Sequence, residues 1–434
     1  MITENNIYRR LLLYAIVIAV LIDSYTMYRY LTNSPLFGKS FSVVLGLLCF
    51  IYIFSSKRLN ICKSFISRVV LIVLYLFLYN IVSRSAFPDF LKSYIGVFIL
   101  FSFLAYFLYQ NNDYEYFIKA FCNVMLIICC LSLFFWLFGS ILNIIPGRSL
   151  KEYYWTGRYQ QTYTYYYLYF ENISQNKGYA VVRNLGVFLE APGFSGFLIY
   201  ALISEMVLKK IRRKIDKRGR TESNIRVTIL TITMLSTGST KGILAVMIAF
   251  VLEYISKGSK NNYVLAVKIL AGVLICVGVW IIGNELVESK MSRRSGIVRM
   301  DDLIAGVKTF INNPLWGVGY RNVKGIQQYQ QVVDRANNGL SMGIAVILAY
   351  GGLWLSMFYI WAIVLSRKIP LFKNNSSLWY LVVILLVYNL FISNSGFSNE
   401  YIFILASVYS YIGIKHVSKS AKLFDKSLAE CQIT

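Results

Sequence analysis

The chain has 434 residues, 57% of them hydrophobic and 15% charged, with a mean hydropathy of +0.56. A soluble domain carries about 25% charged residues, so a water-soluble globule is excluded, and the apolar runs do not alternate as a membrane β-barrel requires. The net charge of +24 would point to nucleic acid in a soluble protein. In so apolar a chain, basic residues first of all mark cytoplasmic loops, and no nucleic-acid partner is expected.

Apolar runs recur from end to end. They predict an all-α polytopic membrane protein with about twelve transmembrane helices at 11–28, 41–56, 69–83, 93–109, 118–142, 187–208, 225–237, 241–256, 263–283, 341–365, 378–394 and 400–415. The loop 209–226, with Lys209, Lys210, Arg212, Arg213 and Lys214 among its cations, fixes the cytoplasmic side. Alternation outward from it puts both termini in the cytoplasm. Two segments, 143–186 and 284–340, then lie outside as large loops. The expected organisation is a five-helix region 1–142, the first loop 143–186, central helices 187–283 containing the hairpin 225–256, the second loop 284–340, and C-terminal helices with a tail, 341–434.

The seven cysteines (Cys49, Cys62, Cys122, Cys129, Cys130, Cys276 and Cys431) form no C-x-x-C, and the single histidine is His416 near the C-terminus. No disulfide framework, metal site or cofactor is expected. The bilayer is the first expected partner.

The positive-inside rule accounts for the inner surplus of cations. It does not account for the outer set, which includes Arg148, Lys151, Arg158, Arg183, Lys290, Arg293, Arg294, Arg299, Arg321 and Arg335. Long loops escape the rule. Alternatively, the outer face is a funnel for an anionic ligand, and arginine suits phosphate or pyrophosphate because its planar fork pairs with oxyanions.

Four local patterns carry candidate chemistry. The first is Arg183–Gly193, R-N-L-G-V-F-L-E-A-P-G, where the first loop re-enters the membrane. A helix would place Arg183 and Glu190 on one face, two turns apart, although Gly186, Pro192 and Gly193 argue for an interruption. A glutamate at that depth is a functional candidate; a structural Arg–Glu pair is the plainer alternative. The second is the hairpin Ser236–Gly242, S-T-G-S-T-K-G, which contains Lys241. Its first arm, 225–237, spans only about 20 Å, so the tip is expected below the outer surface. Lys241 either snorkels outward or meets an anion there.

The third runs from Arg299 to Tyr320. Residues 301–311 predict an amphipathic helix with Leu303, Val307, Phe310 and Ile311 on one side, stopped by Pro314 and followed by a tight turn at Gly317 and Gly319. The fourth is Arg335-Ala336-Asn337-Asn338-Gly339-Leu340. Between the first loop's cations, Tyr163, Tyr165, Tyr167 and Tyr169 alternate; they suit an interfacial aromatic belt or a sugar-stacking face.

In this order and sidedness the four patterns resemble the O-antigen polymerase and O-antigen ligase superfamily, over about residues 180–350. The resemblance implies an integral-membrane glycosyltransferase acting outside the inner membrane on undecaprenyl-pyrophosphate-linked oligosaccharide. A chain-length regulator and a flippase would be partners. Ligases of the superfamily carry a histidine in the late external loop; none stands there in this chain, which favours the polymerase branch. A lipid-linked oligosaccharide flippase is the other alternative, and the two large loops speak against it. The resemblance assigns catalysis to Glu190, Arg183 and Arg299. Substrate binding is expected of Lys241, Arg293, Arg294, Asp334, Asn338 and Tyr320, with Asp334 and Glu400 as carboxylates rivalling Glu190. Lys241 departs from the arginine common at its position.

Reporter fusions placed within 143–186 and within 284–340 should register outside the cytoplasm, and fusions within 209–226 inside. The reverse pattern would overturn the topology.

Overall fold

A computed structural model describes residues 4–31, 35–56, 60–83, 87–155, 158–173, 182–212, 217–256, 294–332 and 339–414. The chain is mostly helical. The helices are α1 (Glu4–Asp23), α2 (Pro35–Phe54), α3 (Lys63–Val82), α4 (Phe87–Gln110), α5 (Tyr114–Ile141), α6 (Ala191–Arg212), α7 (Lys217–Ser236), α8 (Thr240–Ser256), α9 (Arg294–Asn312), α10 (Val323–Gln327), α11 (Gly343–Ser366), α12 (Pro370–Lys373), α13 (Ser376–Ile392) and α14 (Asn399–Ile414). Each predicted span coincides with one of them, except 263–283, which lies outside the described residues. Five, namely α3, α4, α5, most of α6, and α11, are long and apolar enough to cross a membrane.

The structure corrects several expectations. The all-α expectation is qualified in the first loop, whose aromatic run forms an antiparallel sheet of β1 (Arg148–Trp155), β2 (Arg158–Tyr165) and β3 (Tyr169–Asn172) in that order. The tyrosine alternation ends at Tyr165, because Tyr166 and Tyr167 turn the chain with φ of +53° and +61°. Tyr165 and Tyr169 then pair across the turn and pack against Phe135, while Arg148 lies 3.6 Å over the Tyr163 ring. Helix α7 has 20 residues, not 13. It starts within the basic segment Lys217–Asn224, and its apolar part remains the short stretch 225–236.

Two compact units are distinguished, one of residues 1–75, 92–239 and 398–434, the other of 76–91 and 240–397. In the first, the sheet closes over residues 25–31. Met27, Tyr153, Phe170 and Leu189 form its core, and Tyr154 N donates to Tyr30 O at 3.1 Å.

In the second unit, α11 is broken at Gly352, whose φ is +55° and ψ −152°. A break inside an apolar helix leaves backbone groups that hydrocarbon cannot satisfy. The segment Pro314–Gly319 satisfies them. Val318 N and Gly319 N donate to Ala349 O and Tyr350 O at 2.9 and 3.0 Å, and Leu353 N and Trp354 N donate to Pro314 O and Leu315 O at 2.7 and 3.0 Å. The glycines foreseen as a tight turn therefore serve a docking joint. A Cβ on Gly317, at φ +63°, would stand 2.4 Å from the carbonyl carbon and oxygen of Tyr350.

Gly317→Ala should lower stability by more than about 2 kcal/mol, through strain at positive φ and displacement of a helix backbone. The check is the unfolding midpoint of purified protein in detergent, with Gly46→Ala, where a Cβ meets nothing within 4 Å, as the control.

Candidate functional site

The R-N-L-G piece is not helical. Residues 182–185 are irregular, Gly186 turns at φ +58°, and Phe188 bridges to Thr26. Arg183 and Glu190 thus do not share a helix face. Helix α6 begins only at Ala191, with Pro192 in its first turn, where a proline is tolerated.

This strap is tied to the C-terminal end of α7, so that the first two sequence patterns meet. Asn184 N donates to Ser236 O at 3.1 Å. The Asn184 amide donates to Ser236 Oγ at 2.9 Å and to Ser132 Oγ at 3.3 Å, and its oxygen accepts from Gly186 N at 3.0 Å. Arg183, 9% exposed, donates from Nε to Thr237 O at 3.0 Å. Gly238, at φ +55°, completes the turn beside the arginine stem. Ser195 of α6 meets Thr237 Oγ1 at 3.0 Å.

Glu190 is half-buried and accepts a hydrogen bond from the Tyr25 phenol. The preceding residue, Ser24, hydrogen-bonds Glu400. Asp23 accepts from Asn399 at 3.0 Å and from Ser42 at 2.7 Å. Consecutive residues at the end of α1 therefore organise Glu190 and its rival Glu400. Nothing in the apolar pattern of α1 signals this role for Ser24 and Tyr25.

In the second unit, Lys241 is 4% exposed in the first turn of α8, and its carbonyl accepts from Tyr388 of α13 at 3.0 Å. The charge of Arg299, on α9, bears on the same tyrosine hydroxyl. Tyr320 is 4% exposed and sits among Phe90, Tyr350 and Phe397. Arg293, Asp334 and Asn338 lie outside the described residues, as does the side chain of Arg294.

Two acids passed over in the sequence are structural. Asp301 accepts from Gln331 N and Val332 N, and Asp302 from Ser341 N at 2.8 Å. They fasten the chain on either side of 333–338. An adjacent acidic pair inside an amphipathic helix was the available signal.

Chemically, the first unit offers a guanidinium and a carboxylate that accepts from a phenol, and the second a buried lysine whose carbonyl meets the Tyr388 phenol, with the Arg299 charge bearing on that phenol. The comparison with family models, curated proteins and solved structures gives no match.

Asn184→Ala removes three side-chain hydrogen bonds from buried groups and should cost about 2–4 kcal/mol. Tyr25→Phe, which keeps the ring against Trp155, should cost about 1 kcal/mol. Both are read as shifts of the unfolding midpoint in detergent.

Proposed function

We propose that this protein is an O-antigen or capsular polysaccharide polymerase of the bacterial inner membrane. It transfers the growing glycan from undecaprenyl pyrophosphate to the non-reducing end of a new lipid-linked repeat unit, on the periplasmic side, with both termini in the cytoplasm. The observation that carries the reading is the burial of Arg183, oriented by Thr237 in a strap whose other end presents Glu190. A guanidinium suits a diphosphate because its planar fork pairs with oxyanions, and a carboxylate in the same strap suits removal of a hydroxyl proton.

In the proposed reaction the acceptor hydroxyl oxygen attacks the anomeric carbon of the donor glycan. The bond from that carbon to the pyrophosphate oxygen breaks, and the electron pair leaves with the diphosphate. Glu190 takes the hydroxyl proton, and Tyr25 steadies that carboxylate. Arg183 supplies positive charge for the diphosphate as its charge grows, and Lys241 and Arg299 are further candidates from the sequence patterns. Arg293, Arg294, Asp334, Asn338 and Tyr320 are assigned to substrate by the family resemblance.

In a strain lacking the gene, Arg183→Ala should leave single-repeat-capped lipid A and no long chains at unchanged protein level, a loss of at least about 100-fold in transfer. Arg183→Lys, which keeps charge without the fork, should give short chains. A normal glycan ladder from Arg183→Ala removes that residue from the mechanism.

A further inference from the structure

Helix α9 is amphipathic in an inverted sense. Its inward side carries Asp301, Asp302, Ala305, Gly306 and Thr309, all buried. Its exposed side carries Ile297, Met300, Ile304, Val307 and Ile311 at 39–66% exposure, spaced three and four apart as one stripe, which Leu315 prolongs at 60%. Of the four residues expected on one side, Val307 and Ile311 are thus exposed, while Leu303 and Phe310 are half-buried.

The path of the chain gives this stripe a depth. Asp302 holds Ser341 N at the head of α11, Gly306 lies against Ala345, and Pro314 and Leu315 bond to Leu353 and Trp354. Residue numbers rise together, so α9 runs parallel to the first part of α11. By Gly352 it has advanced about 14 Å along that axis, roughly half of a hydrocarbon core. The chain then turns at Pro314–Gly319 and returns, and Gln331 and Val332 bind Asp301 back at the starting level. Helix α11 is long and apolar enough to cross a membrane, and its own exposed residues Leu353, Met357, Ile360 and Trp361 continue from Leu315 without a polar break.

On the outgoing arm polar groups are turned onto the helix backbone, whereas the returning arm exposes Arg321, Lys324, Gln327 and Gln328, with Arg321 3.7 Å from Asp89. Thr309 Oγ1 donates to Ala305 O, Asn312 to Lys308 O, Asn313 to Thr309 O and Asn322 to Val318 O. Such self-satisfaction is what hydrocarbon demands and water does not. Lys308, exposed beside the stripe, has a stem long enough to carry its ammonium toward the headgroups.

We infer that Arg294–Val332 is a re-entrant hairpin set into the leaflet where α11 begins, with the Ile297–Leu315 stripe against lipid acyl chains. The second loop is thus partly intramembrane. This depends on α11 crossing the bilayer and is independent of the proposed chemistry.

The test uses the wild-type chain in phosphatidylcholine vesicles containing a lipid with a diazirine in its acyl chain, with adducts mapped by mass spectrometry after illumination. Adducts at Ile304, Ile311 and Leu315 should match those at Met357 and Ile360 within about threefold and exceed those at Tyr159 by at least about tenfold. Hydroxyl radicals generated in the bulk water should oxidise Met300 as slowly as Met357. An absence of adducts at 297–315 overturns the inference. Fast oxidation of Met300 would then identify water on the stripe, and slow oxidation a covering protein surface.

Discussion

The structure depends on one constraint: a peptide group removed from water must find its hydrogen bond within the protein. The break in α11 shows how strictly it applies. Gly352 frees carbonyls and amides in mid-helix, and the loop Pro314–Gly319 answers them with matching amides and carbonyls. The Tyr79 hydroxyl adds a further bond, to Tyr350 O at 2.6 Å. The same demand shapes the strap at 182–189, where Asn184 spends both ends of its amide and its backbone N–H on Gly186, Ser132 and Ser236. Asparagine serves there because one short side chain both donates and accepts.

Charge follows the same logic at higher stakes. Burying a cation is costly unless it is paired and hydrogen-bonded, and Arg183 and Lys241 are both nearly inaccessible. Elsewhere the first unit pairs its buried ions directly. Arg9 meets Asp113, and Arg148 meets Glu171 at 3.0 Å. Arg183 also donates to a backbone carbonyl, and Glu190 accepts from a phenol.

Much of the helical layout was legible without coordinates. Uninterrupted apolar runs mark helices because only a helix satisfies its own backbone within one segment. The stop at Pro314 and the turn at Gly317 and Gly319 were equally legible, since each follows from local sterics. The candidate site was legible in part. Arg183 and Glu190 stood out as ions at an apolar boundary, and the S-T-G-S turn as a break between helices. The meeting of Arg183 with that turn was not legible, because the seven-residue spacing from Arg183 to Glu190 suggested a helix where Gly186 makes a strap. Tyr25 and Ser24 were invisible, being ordinary residues at the end of an apolar run. The aromatic run 148–172 was read for its interfacial chemistry and not for its strands.

Composition and hydropathic rhythm alone determined that this is a helical chain with segments fit to cross a membrane, because transfer of apolar surface depends on residue type and not on neighbours. Tertiary structure alone decided which side of a helix faces inward. For Arg294–Asn312 the periodicity shows only that two faces differ. Within a bilayer the apolar face has no need to be covered, and small or polar residues make the protein contacts instead. That choice belongs to α11 and its broken backbone, far along the chain, and no local pattern in α9 contains it.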